Sequence, residues 1–137
     1  MDIEAIKTLF EEKNSFSNML GIEFAEMTPG SATCKMAIRD EHRNLFGSVN
    51  AGAIYTLAET AFGAAANGHG NVALAVNLSI AYLKPATNGT LTAKAEEISA
   101  GGCMATYSVK VYDDDNEIVA DVQAMGYRMK KSLEELG

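Results

Sequence analysis

The chain has 137 residues, of which 47% are hydrophobic and 21% are charged, and its formal net charge is −7. This size and composition are typical of one ordinary globular domain, so we expect a single domain over residues 1–137. The acidic balance argues against nucleic acid as a partner. Because no apolar stretch is long enough to span a membrane and the N-terminus does not resemble a signal peptide, we expect a cytoplasmic protein without a membrane partner.

The first predicted elements are a short helix and a hairpin of two strands. The helix covers residues 3–13, where the apolar positions recur on one side. Strands are predicted over residues 20–27 and 32–39, and the Thr-Pro-Gly-Ser sequence at residues 28–31 predicts the turn between them.

The next predicted element is a long helix that ends near Asn67 and is apolar or small on nearly every side. Residues on one face recur at the helical spacing: Ile54, Leu57, Ala58, Ala61, Phe62 and Ala65. This composition predicts a helix that is buried all round. Glu59 is its only residue with a carboxyl or amine side chain, and a buried carboxylate needs a partner or its pKa rises.

The loop before this helix is suited to starting a helix and to binding an oxyanion. Asn50 is a good N-cap residue, because its side-chain oxygen can accept a hydrogen bond from an early helical N–H group. The N–H groups of Ala51 and Gly52 then lie among the unpaired donors at the positive end of the helix dipole. Such donors stabilise a developing negative charge. Gly47 adds a position without steric limits on φ.

Four strands are predicted after the helix, over residues 72–83, 91–98, 103–112 and 118–129, with a polar tail over residues 130–137. The first of them is a long apolar run, which is typical of a central strand. Cys34 and Cys103 lie in strand-like runs without metal-ligand spacing, so we expect reduced, structural cysteines. The order of elements predicts an α+β fold.

One run of residues resembles a known family. The spacing Asn44-x-x-Gly47-x-x-Asn50-Ala51-Gly52, followed by Glu59 and Gly63, resembles the hotdog-fold acyl-CoA thioesterases, above all the phenylacetate-pathway and 4-hydroxybenzoyl-CoA types. The run from Tyr82 to Ala86 resembles the same family at the end of the strand after the helix. The resemblance implies the hotdog fold, an antiparallel sheet wrapped around one long central helix.

The resemblance also implies an activity, the hydrolysis of an acyl-CoA thioester to a free acid and CoA. Asn44 and the N–H group of Ala51 would bind the thioester carbonyl, and Glu59 would act as nucleophile or as general base, a choice that the sequence leaves open. The expected substrate-binding residues are Gly47, Asn50, Gly52, Tyr55 and Lys84. We expect no metal and no cofactor. Some hotdog proteins line the acyl tunnel with their N-terminal helix, although packing over the sheet is the simpler role.

Two positions depart from the family pattern. Asn50-Ala51 stands where the family has His-Gly, and Ala75 stands where many relatives have a Ser or Thr that helps to hold the attacking water. The resemblance further implies a homodimer or homotetramer with sites at the subunit interface, where one chain supplies the helix start and its neighbour supplies the acid.

Two other functions stay open. The first is a non-catalytic acyl-CoA or acyl-carrier binding protein on the same fold, which the residues at 51 and 75 favour. The second is a hotdog hydratase or dehydratase, which would need a histidine with an acid as proton shuttle, and the predicted central helix contains no histidine. Of the two histidines in the chain, His42 lies close to the loop, where contact with a ligand is one alternative and a solvent-exposed loop position is the expectation. The acyl group stays open as well.

Overall fold

The structure is a computed structural model, and it describes residues 1–136. Its helices are α1 (Ile3–Lys13), α2 (Ser15–Met19) and α3 (Ala51–Asn67). Its strands are β1 (Ile22–Thr28), β2 (Ser31–Ala37), β3 (Asn71–Tyr82), β4 (Thr90–Gly101), β5 (Met104–Tyr112) and β6 (Ile118–Ser132). Short 3-10 turns cover Asp40–His42 and Leu133–Leu136.

The six strands form one antiparallel sheet in the order β1-β2-β4-β5-β6-β3, and α3 contacts every strand of it. The predicted apolar face of α3 is buried against the sheet. The sheet wrapped around one long helix confirms the predicted hotdog fold, and α2 is a short element that the sequence pattern did not indicate.

Close packing between α3 and the sheet depends on a glycine at one point. The Phe62 ring packs edge-on against Tyr107 with 5.3 Å between the ring centroids. A Cβ atom at Gly126 would lie 3.1 Å from Phe62 Cζ, so a larger residue at this place in β6 would require the Phe62 ring to shift.

β3 is an edge strand, so the expectation of a central strand is wrong for the single chain. It pairs with β6 on one side, and within residues 1–136 no strand pairs with its other side. Leu74 and Val76 are 54% and 55% exposed. A long apolar run indicates only that both faces of a strand avoid water, and a second chain can provide that cover as well as a neighbouring strand can.

α3 is not buried all round, contrary to the prediction. One stripe along the helix, which we call the open stripe, is exposed or half-buried and consists of Ala51, Gly52, Tyr55, Thr56, Glu59 and Gly63. Small and apolar residues favour close packing, but they do not specify whether the same chain supplies a neighbour on every side.

The expectation that Cys103 lies in a strand and the expectation of a polar tail over residues 130–137 are also wrong. Cys103 is exposed in the turn between β4 and β5, whereas Cys34 is buried in β2, where burial raises the pKa of its thiol to about 12. The predicted polar tail continues β6 as far as Ser132, and Leu133 is buried at 4% exposure, because this apolar side chain reaches the core. Gly137, the last residue of that tail, lies outside the described residues. No helix within residues 1–136 is long and apolar enough to cross a membrane.

Candidate active site

The loop over residues 43–50, which we call the Asn44 turn, is a tight hairpin-like segment. Arg43 and Val49 form an isolated antiparallel β-bridge, and the N–H group of Asn44 donates to the Ser48 carbonyl at 2.8 Å. Gly47 closes the turn with a φ of 85°, a left-handed conformation in which a side chain would be strained. The left-handed backbone at position 47 therefore favours glycine, in agreement with the predicted freedom of φ there.

The Asn44 side chain both braces this turn and keeps a free donor. Its Oδ1 accepts hydrogen bonds from the N–H groups of Phe46 at 2.9 Å and Ser48 at 3.2 Å. Its Nδ2 donates to Ser48 Oγ at 3.1 Å. Since an amide nitrogen carries two hydrogens, one donor remains without a partner among residues 1–136.

Asn50 caps the start of α3 through its side chain. Its Oδ1 accepts a 2.7 Å hydrogen bond from the N–H group of Gly52, and a Cβ atom at Gly52 would lie 3.0 Å from that oxygen. Gly52 therefore supports the cap, but its N–H group is not the free donor that the sequence predicts. The N–H group of Ala51 has no hydrogen-bond acceptor in the described part of the chain.

Asn44 and Ala51 line one cleft of about 290 Å³ at the start of α3. The other lining residues are Val49, Ile54, Tyr82, Leu83, Lys84 and Pro85. The Tyr82 hydroxyl donates to the Ala51 carbonyl at 2.9 Å. Burial, and then the neighbouring Tyr55, raise the pKa of the Tyr82 hydroxyl. The only sequence signal for Tyr82 was its place in the run that ends β3.

Lys84 lies in the wall of this cleft, but its charge is already paired. Its ammonium nitrogen lies 2.8 Å from Asp113 Oδ2 and 3.5 Å from Glu117 Oε2. The hydrogen bond to Asp113 raises the pKa of Lys84 more than any other contact does. The oxygens of Asp113, Asp115 and Glu117 lie within 4.8 Å of one another, as metal ligands could, although Lys84 occupies two of these carboxylates.

Glu59 lies on the open stripe of α3, half-buried and without a hydrogen-bond or ion-pair partner among residues 1–136. Burial raises the pKa of its carboxyl group. Eight residues separate Ala51 from Glu59 on α3, which corresponds to about 12 Å along the helix axis. The single chain thus brings Asn44, Ala51 and Lys84 to one cleft and leaves Glu59 outside it.

His42 is buried at 1% exposure, so the expectation of a solvent-exposed loop histidine is wrong. Its Nδ1 accepts a hydrogen bond from the N–H group of Arg39 at 3.0 Å, and its Nε2 lies 2.8 Å from the Leu20 carbonyl oxygen. The 3-10 turn at Asp40–His42 directs the ring inward, and this direction depends on contacts with residues far away in the sequence.

Comparison with known proteins places this arrangement in a family. The model of the thioesterase superfamily matches residues 46–120. A relative from Archaeoglobus fulgidus is 33% identical over 132 residues, which are 96% of this chain and 86% of that protein. The acyl-coenzyme A thioesterase PaaI of Escherichia coli strain K12 is 29% identical over 119 residues, which are 86% of this chain and 85% of that protein.

A solved structure is similar to this chain over nearly its whole length. The structure of the E. coli PaaI protein from the phenylacetic acid degradation operon superposes with a TM-score of 0.91 at 27% identity, covering 95% of each chain. The fold, the family match and the relatives together confirm the expectation of a thioester-hydrolysing enzyme, and the chain belongs to the thioesterase superfamily.

Proposed function

We propose that this protein hydrolyses an acyl-CoA thioester to the free acid and CoA. The cleft at the start of α3 carries the proposal, because it brings the free amide hydrogen of Asn44 and the free N–H group of Ala51 to one place. The E. coli relative that is an acyl-coenzyme A thioesterase supports the choice of a CoA ester as substrate.

The two donors are suited to the negative charge that develops on the carbonyl oxygen when a thioester is attacked. Ala51 lies at the positive end of the α3 dipole, and the rest of the Asn44 side chain is held by its bonds to the turn. Donors that are fixed before the substrate binds need no reorganisation during the reaction. Asn44 and Ala51 therefore form the oxyanion hole of the proposed site.

The acid of the site is Glu59 from a second copy of the chain. Within one chain Glu59 lies about 12 Å along the helix from Ala51, too far for both groups to act on one carbonyl. The open edge of β3 can pair with the same edge of another copy, and an apolar exposed edge requires such cover. A homodimer is the smallest assembly that covers the β3 edge and supplies Glu59 from a second copy, and a homotetramer built from such dimers does the same.

Glu59 can act by two routes in this site. It can attack the carbonyl carbon, so that the CoA thiolate leaves and water then hydrolyses an anhydride, or it can take a proton from a water that attacks directly. Position 75 offers a methyl group and no hydroxyl to hold that water. One turnover in water labelled with heavy oxygen distinguishes the routes, because a covalent intermediate can place the label in the Glu59 carboxylate.

The acyl group has an apolar cleft of about 470 Å³ available between α1 and the beginning of β3. Its lining residues include Leu9, Phe10, Val72 and Leu74. Phe10 Cε1 would lie 3.9 Å from a Cβ atom at Gly63, one helical turn beyond Glu59 on the open stripe. The position of this cleft supports an apolar acyl group, with α1 as part of its binding wall.

A panel of acyl-CoA substrates, assayed with the parental protein and with Glu59→Gln, tests the proposal. We expect Glu59→Gln to lower kcat by at least ~10²-fold, since it removes the nucleophile or base but keeps the shape. Glu96→Gln, which changes an exposed carboxylate of β4, is the control and should keep the parental kcat. Parental activity in Glu59→Gln would refute the assignment, and binding without hydrolysis by the parental protein would support the non-catalytic alternative.

A further inference from the structure

We infer that His42 is a positioning residue that anchors the Asn44 turn and, through it, the oxyanion hole; this inference rests on the proposed function. His42 does not line the cleft at the start of α3, so it would act through the backbone of the turn and not on the substrate. Three observations support this role: the two contacts of its ring, the hydrogen bond of its carbonyl group and the chemistry of the imidazole.

The ring joins two segments that are distant in sequence. Its Nε2 is bonded to the Leu20 carbonyl in the connection between α2 and β1, and its Nδ1 is bonded to the N–H group of Arg39, which follows β2. The imidazole itself is enclosed, because His42 is 1% exposed, while its partners Arg39 and Leu20 are exposed and half-buried. The position of the ring is therefore set by the packing around it together with these two contacts.

The backbone of His42 continues this anchor into the turn. Its carbonyl oxygen accepts a 2.7 Å hydrogen bond from the N–H group of Asn50, the residue that caps α3. The next contact along the hairpin is the bridge between Arg43 and Val49, and the one after it is the hydrogen bond from the N–H group of Asn44 to the Ser48 carbonyl. His42 thus lies at the base of the hairpin, with Asn44 on one arm and the helix cap on the other.

The rest of the turn is held by contacts that do not involve the His42 side chain, so His42 fixes the base alone. Arg43 Nη1 donates to the carbonyls of Gly47 at 2.8 Å and Thr87 at 2.6 Å. The N–H group of Val49 donates to the Ala86 carbonyl at 2.8 Å. With these contacts fixed, the imidazole at the base determines how the Asn44 amide and the Ala51 N–H group are oriented toward each other.

Only one form of the imidazole satisfies both of its contacts. Nδ1 must accept and Nε2 must donate, which requires the neutral ring with its hydrogen on Nε2. An asparagine side chain can place an acceptor near the Nδ1 position, whereas a glutamine can place a donor near the Nε2 position. The variants His42→Asn and His42→Gln therefore each keep one contact and remove the other, while His42→Ala would remove both contacts at once.

The test measures kinetics and backbone protection in His42→Asn and His42→Gln, with His69→Gln as the matched control at the other histidine. We expect kcat to fall by about tenfold or more in both His42 variants, since small misplacements of reacting groups cost up to about 10²-fold. KM should change by less than the fall in kcat. Hydrogen exchange at the N–H groups of Ser48 and Asn50 should accelerate, while His69→Gln keeps the parental kcat and exchange at both positions.

The outcomes separate this inference from the proposed function. Parental kcat in both His42 variants, together with a loss of activity in Asn44→Ala, would overturn the role of His42 and leave the site intact. Parental kcat in Asn44→Ala would instead overturn the site. Unchanged exchange at Asn50 would also overturn the inference, and this measurement needs no substrate, so it tests the anchor independently of the acyl-CoA assay.

Discussion

The hydroxyl of Tyr82 donates a 2.9 Å hydrogen bond to the backbone carbonyl of Ala51, which joins the end of β3 to the first residue of α3. The same peptide group is held at its other end, since the N–H group of Gly52 donates to Asn50 Oδ1 at 2.7 Å. The first turn of α3 is therefore fixed from the sheet and from the loop at once. This arrangement keeps the Ala51 N–H group in one orientation before any substrate binds.

Removing the Tyr82 hydroxyl tests how much this contact contributes. We expect Tyr82→Phe to lower the free energy of unfolding by about 0.5–1.5 kcal/mol, the usual net value of one hydrogen bond. The fall in kcat should stay below about tenfold, because Asn44 and the helix dipole remain. Chemical denaturation and steady-state kinetics measure both effects, with Tyr112→Phe on β5 as the control. A Tyr82→Phe protein with parental stability and kcat would show that the contact is incidental.

Substitutions at Asn44 separate its role as a donor from its role in the turn. Asn44→Ala should lower kcat by roughly 10²-fold, the cost of losing one oxyanion donor. Asn44→Asp keeps an acceptor for the N–H groups of Phe46 and Ser48 but replaces the donor with a negative charge, so its kcat should be at least as low. If Asn44→Asp keeps the parental kcat and only Asn44→Ala loses thermal stability, Asn44 is a brace for the turn.

The stability of the protein should depend on the ionisation of Glu59. Burial raises the pKa of this carboxyl in the folded chain above its ordinary value of 4.5, so the folded protein retains the proton at a pH where the unfolded chain has lost it. Stability therefore decreases as the pH rises from about 4.5 through the folded pKa. Glu59→Gln removes this dependence, and its melting temperature at neutral pH should equal or exceed the parental value.

Melting curves recorded between about pH 4 and pH 7 check this expectation, since the difference between the two proteins should grow as the parental carboxyl ionises. The control is Glu96→Gln, in which the melting temperature should follow the parental curve. A Glu59→Gln protein that melts well below the parental protein at neutral pH would indicate a carboxylate in a buried pair, whose loss costs about 3–5 kcal/mol.

Glu97 should have the opposite effect on stability. Burial raises its pKa, but hydrogen bonds from Tyr107 at 2.8 Å and His69 at 2.9 Å outweigh burial, and the pKa is lowered overall. A lowered pKa contributes stability above the unfolded value of about 4.5, and this contribution disappears as the pH falls through the folded pKa. Glu97→Gln should thus be less stable than the parental protein at neutral pH and approach it in acid. A difference in melting temperature that is independent of pH would contradict this prediction.

The open edge of β3 predicts association of the chain with a second copy. Sedimentation equilibrium at micromolar concentration should show a dimer at least, because an exposed apolar edge is covered in a stable protein. Val76→Lys on β3 should weaken the association and lower kcat together. Ile98→Lys is the control and should change neither, because Ile98 lies on β4, away from the open edge. Both side chains are exposed, at 55% for Val76 and 64% for Ile98. A stable monomer with full activity would contradict the shared site.

The sequence alone determined the features that depend on neighbours a few residues apart. Asn50 caps α3 as predicted, because N-capping requires only the side chain and the first helical turn. The buried face of α3 and the alternation of the strands follow from periodicity. The spacing of Asn44, Ala51 and Glu59 was sufficient to suggest a thioesterase, since the family pattern lies within one loop and one helix.

Only the tertiary structure decided the features that join residues far apart in the chain. β3 lies at the edge because β6 pairs with it and leaves its other side open, an order of strands that no local pattern specifies. Lys84 is neutralised by Asp113, and His42 is buried against Leu20, through contacts that form only when distant segments meet. Glu59 depends on both levels: its residue type and its rise of about 12 Å from Ala51 follow from the predicted helix. That Glu59 lies on the open stripe, where a second copy can reach it, was decided by how the sheet covers the other faces of α3.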